Sequence, residues 1–167
     1  MSGTLGRVAT ILCLVVAIAA PPARAADDLS KTVVDVAAAS PDHTTLVAAL
    51  KAADYVDSLR NPGPFTVFAP TDAAFAKLPA GTLDTLLKPE NKAKLEKVLQ
   101  HHVLLSTYET KTFKDGQTFQ MVDGKRATMH VKDGKVMIED ATIVGSVRCG
   151  NGIVHVVDAV VLAKETP

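Results

Sequence analysis

Hydrophobic residues in the first third of the chain recur at helical spacing. The apolar positions that follow this spacing between Lys31 and Arg60 are Val33, Val36, Ala37, Leu46, Leu50 and Ala53. Pro41 disfavours helical backbone geometry at the residue before it, Ser40. The pattern therefore predicts two short helices separated near Ser40 and Pro41, with Asp42, His43 or Thr44 as the N-cap of the second helix.

A break and then a strand follow these helices. Asn61-Pro62-Gly63-Pro64 combines two fixed proline φ angles with a permissive glycine, which is typical of a turn. The segment from Phe65 to Ala69 is β-branched and aromatic and predicts a strand. Pro70 ends this strand, and Thr71 is expected to cap a helix that runs to Leu78.

Two further helical stretches are predicted in the middle of the chain. The leucines between Thr82 and Leu87 share one helical face, and a second stretch begins at Pro89, where a first helical turn tolerates proline. The apolar side of that second stretch consists of Leu95, Val98, Leu99 and His102. Lysines and a glutamate occupy the other side, which we interpret as solvated.

Beyond Leu105 the spacing of hydrophobic residues changes from helical to alternating. The strand-like runs are residues 118–122, 127–132, 135–139, 141–149 and 153–162. Asp123-Gly124 and Asp133-Gly134 fall between such runs and are strong hairpin signals, and Gly150-Asn151-Gly152 separates the last two runs. Because helices come first and strands last, the sequence predicts an α+β fold with a largely antiparallel sheet.

The N-terminus has the features of a secretory signal peptide. Arg7 provides the positive charge, Val8 to Ala20 form an uncharged apolar run, and Ala23-Arg24-Ala25 matches the small-x-small cleavage pattern. The apolar run is shorter than the ~20 residues of a membrane-spanning helix. We therefore expect residues 1–25 to be removed and residues 26–167 to form one domain, secreted or periplasmic, with no membrane span after cleavage.

Charge and cysteine content exclude several classes of protein. The chain has 18 Lys and Arg and 18 Asp and Glu, so loss of Arg7 and Arg24 with the signal peptide leaves 16 basic residues against 18 acidic ones. This balance lacks the basic footprint of a nucleic-acid-binding protein and offers no attraction to anionic lipid. Cleavage also removes Cys13, so Cys149 has no internal disulfide partner and hydrophobic packing must hold the fold.

Two long segments and a central histidine pair resemble the fasciclin (FAS1) domain. The segment from Phe65 to Phe75, FTVFAPTDAAF, is similar to the first signature of the family. The segment from Asn151 to Leu162, NGIVHVVDAVVL, is similar to the second. Between them the family has Tyr-His followed by Val-Leu, and this chain has His101-His102-Val103-Leu104, so His101 stands at the tyrosine position. The matches span almost all of residues 30–163.

The resemblance implies a wedge of β-strands flanked by helices. It also implies an extracellular, periplasmic or membrane-attached protein that is associated with adhesion, with no cofactor and no reaction. Integrin-directed segments proposed for animal members have no residue-by-residue match in this chain, and Arg60-Asn61 is not an Arg-Gly-Asp tripeptide.

Thr71, Asp72 and three histidines are candidate site residues with competing interpretations. Thr71 and Asp72 could hold an anion or a partner's backbone, but we favour a helix cap and a carboxylate that complements the helix dipole. His101, His102 and His155 are enough imidazoles for a zinc site, but adjacent residues project in different directions. We therefore expect core histidines and no metal, with sensitivity to acid if they are buried.

Cys149, His155 and Asp158 include the residue types of a thiol-nucleophile site. A nucleophile needs a base within hydrogen-bond reach, and a turn at residues 150–152 would leave His155 too far along the opposite strand. A buried, inert thiol is the favoured interpretation of Cys149, and a homodimer linked through its disulfide is the alternative.

The sequence as a whole predicts a non-catalytic binding or cell-adhesion module. Its expected partner is a protein or glycan at a cell surface or in extracellular matrix. One alternative is a carrier of a small apolar ligand, which requires a hydrophobic pocket of some hundreds of Å³. The other alternative is a thiol enzyme at Cys149 and His155, which requires the two side chains to meet in a cleft.

Overall fold

The computed structural model describes residues 29–79 and 81–162, and the predicted signal peptide, residues 1–25, lies outside them. The α-helices in the described part are α1 Val33–Ala39, α2 Thr44–Ala52, α3 Val56–Arg60, α4 Asp72–Ala76, α5 Thr82–Leu86 and α6 Lys92–Gln100. The strands are β1 Phe65–Pro70, β2 Val103–Leu104, β3 Thr118–Gln120, β4 Arg126–Lys132, β5 Lys135–Ile138, β6 Ala141–Cys149 and β7 Gly152–Val157.

The described strands form one sheet in the order β2-β1-β7-β6-β5-β4-β3. The pair of β1 and β7 is parallel and the other neighbouring pairs are antiparallel. The N–H of Val122, just after β3, donates to the carbonyl of Val103 in β2 at 3.0 Å, so the two ends of the sheet meet. The prediction of an α+β fold, a mainly antiparallel wedge flanked by N-terminal and central helices, is confirmed.

Two hydrophobic clusters occupy opposite faces of the central strands. One cluster lies under the helices and includes Leu50 of α2, Leu99 of α6 and Val154 of β7. The other includes Phe68 of β1 and Met129 of β4 and is covered by the loop and strands that follow β2. All six residues of β1 are buried, as expected for a strand that is covered on both faces.

Close backbone contact joins the start of β1 to the start of β7. A Cβ atom at Gly152 would lie 2.1 Å from the carbonyl oxygen of Phe65, and one at Gly63 would lie 2.0 Å from that of Asn151. Real Cβ atoms do not approach this closely, so the parallel pair can form only with glycine at both positions.

Several element boundaries differ from the sequence predictions, among them those of α2, α4 and β7. The first helical region contains a third helix, α3, because Asp54 adopts a positive φ of 53° and ends α2. The helix capped by Thr71 ends at Ala76 instead of Leu78. The last strand ends at Val157 instead of Leu162, because the segment after it leaves the sheet, where the N–H of Val161 binds His102.

The hairpin predictions are confirmed. Asp133 and Gly134, with φ of 51° and 74°, join β4 to β5, and Gly124, with φ of 83°, lies between β3 and β4.

Within the described residues, no helix is both long and apolar enough to cross a membrane.

Candidate functional site

Thr71 lies where β1 ends and α4 begins. Its hydroxyl accepts a hydrogen bond from the N–H of Ala74 at 3.2 Å, which is the geometry of an N-cap. The predicted capping role therefore matches the position that Thr71 has in the structure.

Asp72 follows in the first turn of α4, but its carboxylate binds the start of a different helix. It accepts hydrogen bonds from the hydroxyl of Thr44 at 2.6 Å and from the N–H of Thr45 at 2.8 Å, both in the first turn of α2. These bonds, led by the one from Thr44, lower the pKa of Asp72 to about 2. The sequence predicted that Asp42, His43 or Thr44 would cap α2. The carboxylate that accepts hydrogen bonds there belongs to Asp72, 28 residues from Thr44.

His101 joins the end of α6 to the turn between β3 and β4. Its Nδ1 lies 2.9 Å from Oδ2 of Asp123, and both side chains are buried, with exposed fractions of 2% and 6%. Oδ1 of the same carboxylate accepts the N–H of Lys125 at 3.0 Å. His101 therefore holds an Asp-Gly turn against the helix, and Asp123 is a partner that sequence reasoning did not identify.

His102 binds two backbone groups through its two ring nitrogens. Nε2 accepts the N–H of Val161 at 3.0 Å, so Nδ1 carries the proton and donates to the carbonyl of Val98 at 2.7 Å. Burial lowers the pKa of His102 to about 4. The neutral ring thus ties the segment after β7 to α6.

His155 lies in β7 with an exposed fraction of 0% and packs against the rings of Phe68 and Phe113. Its Nε2 lies 2.8 Å from the carbonyl of Tyr108, which requires a proton on that nitrogen, and its Nδ1 lies 2.7 Å from the hydroxyl of Ser146. Burial lowers the pKa of His155. Protonation is less disruptive here than at His102, because the Ser146 hydroxyl can rotate and accept.

The three histidines thus bind protein groups in three different places. No group of three or more His, Cys, Asp or Glu side chains in the described part of the chain is arranged to hold a metal ion. Each ring is buried and hydrogen-bonded, as the core-histidine interpretation expected.

Cys149 and His155 lie on opposite faces of the sheet. Cys149 pairs with Gly152 in the β6–β7 register, and His155 is three residues further along β7, so its side chain projects to the other face. Cys149 is 5% exposed and belongs to the cluster under the helices. The structure does not bring this thiol and imidazole together, which removes the basis of the thiol-enzyme alternative. Burial also hinders an intermolecular disulfide.

An apolar crevice lies between helices α2, α4, α5 and α6. The side chains that line it include Leu46, Phe75, Leu86 and Leu99. Its free volume is about 10 Å³, close to the minimum that a single water molecule needs. It is therefore far too small for the apolar ligand that the carrier alternative requires.

Asn151 is a structural residue that sequence reasoning passed over as part of a turn. Its side-chain oxygen accepts the N–H of Val33 at 2.9 Å, and its amide donates to the carbonyls of Leu59 at 2.8 Å and Asn61 at 3.0 Å. It therefore joins the start of α1 and the end of α3 to the β6–β7 hairpin. The signal in the sequence that could have identified this role is the position of Asn151 in the second signature.

Known proteins match this chain in sequence and in fold. A family model described as the Fasciclin domain matches residues 41–163. Protein sll1483 from Synechocystis sp. is 48% identical over 140 residues, which cover 83% of this chain and 77% of that protein. Cell surface glycolipoprotein MPB83 from Mycobacterium bovis is 36% identical over 129 residues, which cover 74% of this chain and 56% of that protein.

One solved structure has the same fold. It is a FAS1 domain pair from the insect cell adhesion molecule Fasciclin I, which matches with a TM-score of 0.69 at 19% sequence identity. The match covers 81% of this chain and 52% of that chain.

Proposed function

Because this chain belongs to the fasciclin family, we propose that it is an exported binding module that contacts a protein or glycan at a cell surface or in extracellular matrix. The observation that carries the proposal is the family match over residues 41–163. One relative is named a cell surface glycolipoprotein, and the protein with the matching fold is described as a cell adhesion molecule. Both descriptions are consistent with binding outside the cytoplasm.

The placement of the polar site residues supports binding without catalysis. The buried rings of His101, His102 and His155 each bind another part of the chain. Cys149 lies on the face of the sheet opposite His155, so this thiol and this imidazole do not form a nucleophile–base pair. The exposed surface, rather than an interior cleft, is then the part of the molecule that meets a partner.

We also propose that residues 1–25 direct export and that residues 26–167 form a single fasciclin domain, secreted or periplasmic. Sequencing the N-terminus of the exported protein tests this division. A start at Ala26 supports it, and a retained Met1 contradicts it.

Binding to intact cells tests the proposed function. Labelled residues 26–167 are titrated on cells of the source organism and then crosslinked, with the Cys149→Ser variant in parallel. We expect saturable binding and recovery of the same surface component by both proteins. Capture that disappears with Cys149→Ser would instead indicate assembly through the thiol, and the absence of saturable binding would contradict the proposal.

A further inference from the structure

The outer face of the β3–β4–β5 meander carries a row of cationic side chains. Along β4, Ala127 and Met129 point into the core, whereas Arg126, His130 and Lys132 are exposed on the other face. Lys135 of β5 is also exposed and lies directly opposite Lys132. We name Arg126, His130, Lys132 and Lys135 the cationic face.

Among the described helices, none packs mainly on β3, β4 or β5. The helices that pack on strands do so mainly at β1, β6 and β7, on the other side of the molecule. Thr118 and Gln120 of β3, which pair with Thr128 and Arg126, are exposed as well. The cationic face is therefore part of a sheet surface that is open to a partner.

The nearby carboxylates offset the cationic face only in part. Residues 114–135 contain five Lys and Arg and three Asp. Asp123 is buried against His101, and Asp133 lies in the β4–β5 turn. Asp115 accepts the N–H of Val131 and lies 3.9 Å from His130.

Two more carboxylates, Glu139 and Asp140, follow β5, and that of Glu139 accepts the N–H of Thr128 at 2.8 Å. Arg126, Lys132 and Lys135 form no ion pair with any other residue between positions 29 and 162 that the structure describes. Among the described residues, three cations of the face thus lack a carboxylate partner.

The pairing of Lys132 with Lys135 is unfavourable for the isolated protein. Like charges that lie directly opposite each other on neighbouring strands destabilise a sheet. An anion bound between the two ammonium groups would relieve this repulsion. The pair is therefore easier to explain as part of a binding surface than as a contribution to the fold.

We propose that the cationic face binds a linear anionic polysaccharide. The row from Arg126 to Lys132 extends about 20 Å along one strand, a shape that suits a chain of repeated negative charges better than a membrane plane. None of the four residues is Phe, Tyr or Trp, so we argue the recognition from charge. The proposal rests on the proposed binding function and names the class of its partner.

Binding to immobilised dextran sulfate and polygalacturonate tests this proposal, with uncharged dextran as the reference. The test variant combines Arg126→Gln, Lys132→Gln and Lys135→Gln. The matched control combines Lys88→Gln, Lys94→Gln and Lys97→Gln, which removes the same charge from exposed positions around α6. All substituted side chains are exposed, and thermal unfolding checks that each variant folds.

We expect the wild type and the control to bind at least one of the two anionic polymers, with affinity that falls as salt rises from 0.05 to 0.5 M. The test variant should lose at least tenfold in affinity. An equal loss in the control, or no binding to either polymer, would overturn the proposal. Affinity for phosphatidylglycerol vesicles or duplex DNA equal to that for the anionic polysaccharides would also overturn it. Saturable cell binding by the wild type together with any of these results would leave the proposed function intact.

Discussion

The carboxylate of Asp72 connects two helices that are far apart in sequence. Thr71, beside it, caps its own helix, and this local role could be predicted because the Thr71 hydroxyl and the N–H that it accepts are three residues apart. The role of Asp72 could not be predicted from the sequence, because its partners, Thr44 and Thr45, come within hydrogen-bond distance only when α2 and α4 pack together.

Asp72→Asn should destabilise the protein by about 1 kcal/mol, because a charge-assisted cap at the start of α2 is weakened. The pKa of Asp72 is lowered to about 2, so its contribution is present above about pH 4 and is lost as the pH falls towards 2. Urea unfolding of the wild type and the variant at pH 7, 5 and 2.5 measures this contribution to stability. Asp84→Asn, at an exposed position in α5, is the control, and an equal effect there would contradict the assigned role.

His102 shows how a buried ring makes stability depend on pH. Its pKa is lowered from 6.5 to about 4, so the unfolded chain binds a proton that the folded protein excludes. The contribution of the neutral ring is complete above pH 6.5 and is lost as the pH falls towards 4. The N–H of Val161 cannot reverse its direction to accept a proton from Nε2.

We expect His102→Gln to reduce the loss of stability between pH 7 and pH 4.5 by about 2 to 3 kcal/mol, even if the variant is less stable at pH 7. Urea unfolding at the two pH values gives the difference. Wild-type protein, measured in parallel, is the reference for this difference. An unchanged slope in His102→Gln would contradict the role of this ring.

At the scale of elements, the turns of the meander were predictable and the packing of the central strands was not. An Asp-Gly dipeptide adopts the positive φ angles that a tight hairpin needs, so its effect is local. The parallel pairing of β1 with β7 joins residues that are more than 80 positions apart, and nothing near either strand signals its partner. Gly63 and Gly152 indicate close contact only after the partner is known.

Gly152→Ala should destabilise the protein by about 3 kcal/mol or more, since the new Cβ would lie 2.1 Å from the carbonyl oxygen of Phe65. Gly145→Ala is the control, because its Cβ would be 3.8 Å from the nearest side-chain atom. That change should alter stability by about 0.5 kcal/mol or less. Chemical unfolding measures the stability of both variants. Equal stability of Gly152→Ala and Gly145→Ala would contradict the close approach of β1 and β7.

Asn151→Ala should cost about 2 to 3 kcal/mol, because it leaves one backbone N–H and two carbonyls at an element junction without their partner. Asn91→Ala, which loses a single exposed bond to Thr85, should cost less than about 1 kcal/mol. Urea unfolding at neutral pH compares the two. Equal losses would mean that Asn151 does not act as a three-way connection.

At the scale of the whole molecule, the sheet separates two cores and decides which groups can meet. Cys149 belongs to the core under the helices, and His155 belongs to the opposite face with Phe68 and Phe113. The sequence predicted that the two residues are too far apart along the hairpin, but it did not predict that they lie on opposite faces of the sheet. The net charge of the chain likewise did not indicate the cationic face on β4 and β5, because a balanced total charge is compatible with a local excess of positive charge.

Alkylation of Cys149 should require opening of the whole domain. We expect the folded protein to react at least 100-fold more slowly than the unfolded chain, with a rate that rises in urea in parallel with global unfolding. Val144→Cys in a Cys149→Ser background is the control, since Val144 is 61% exposed on the same strand. Mass spectrometry locates the label, and fast reaction of native Cys149 would contradict its burial.

The sequence by itself determined the features that depend on neighbouring residues. These are the breaks at proline, the helix cap at Thr71, the Asp-Gly turns, the alternation of the strands and the signatures that identify the family. Tertiary structure alone decided that β1 lies beside β7, which helix Asp72 caps, what His101, His102 and His155 bind and which surface remains uncovered. The physical reason is that each of these depends on groups brought together across long stretches of chain, where no local preference of the backbone records the partner.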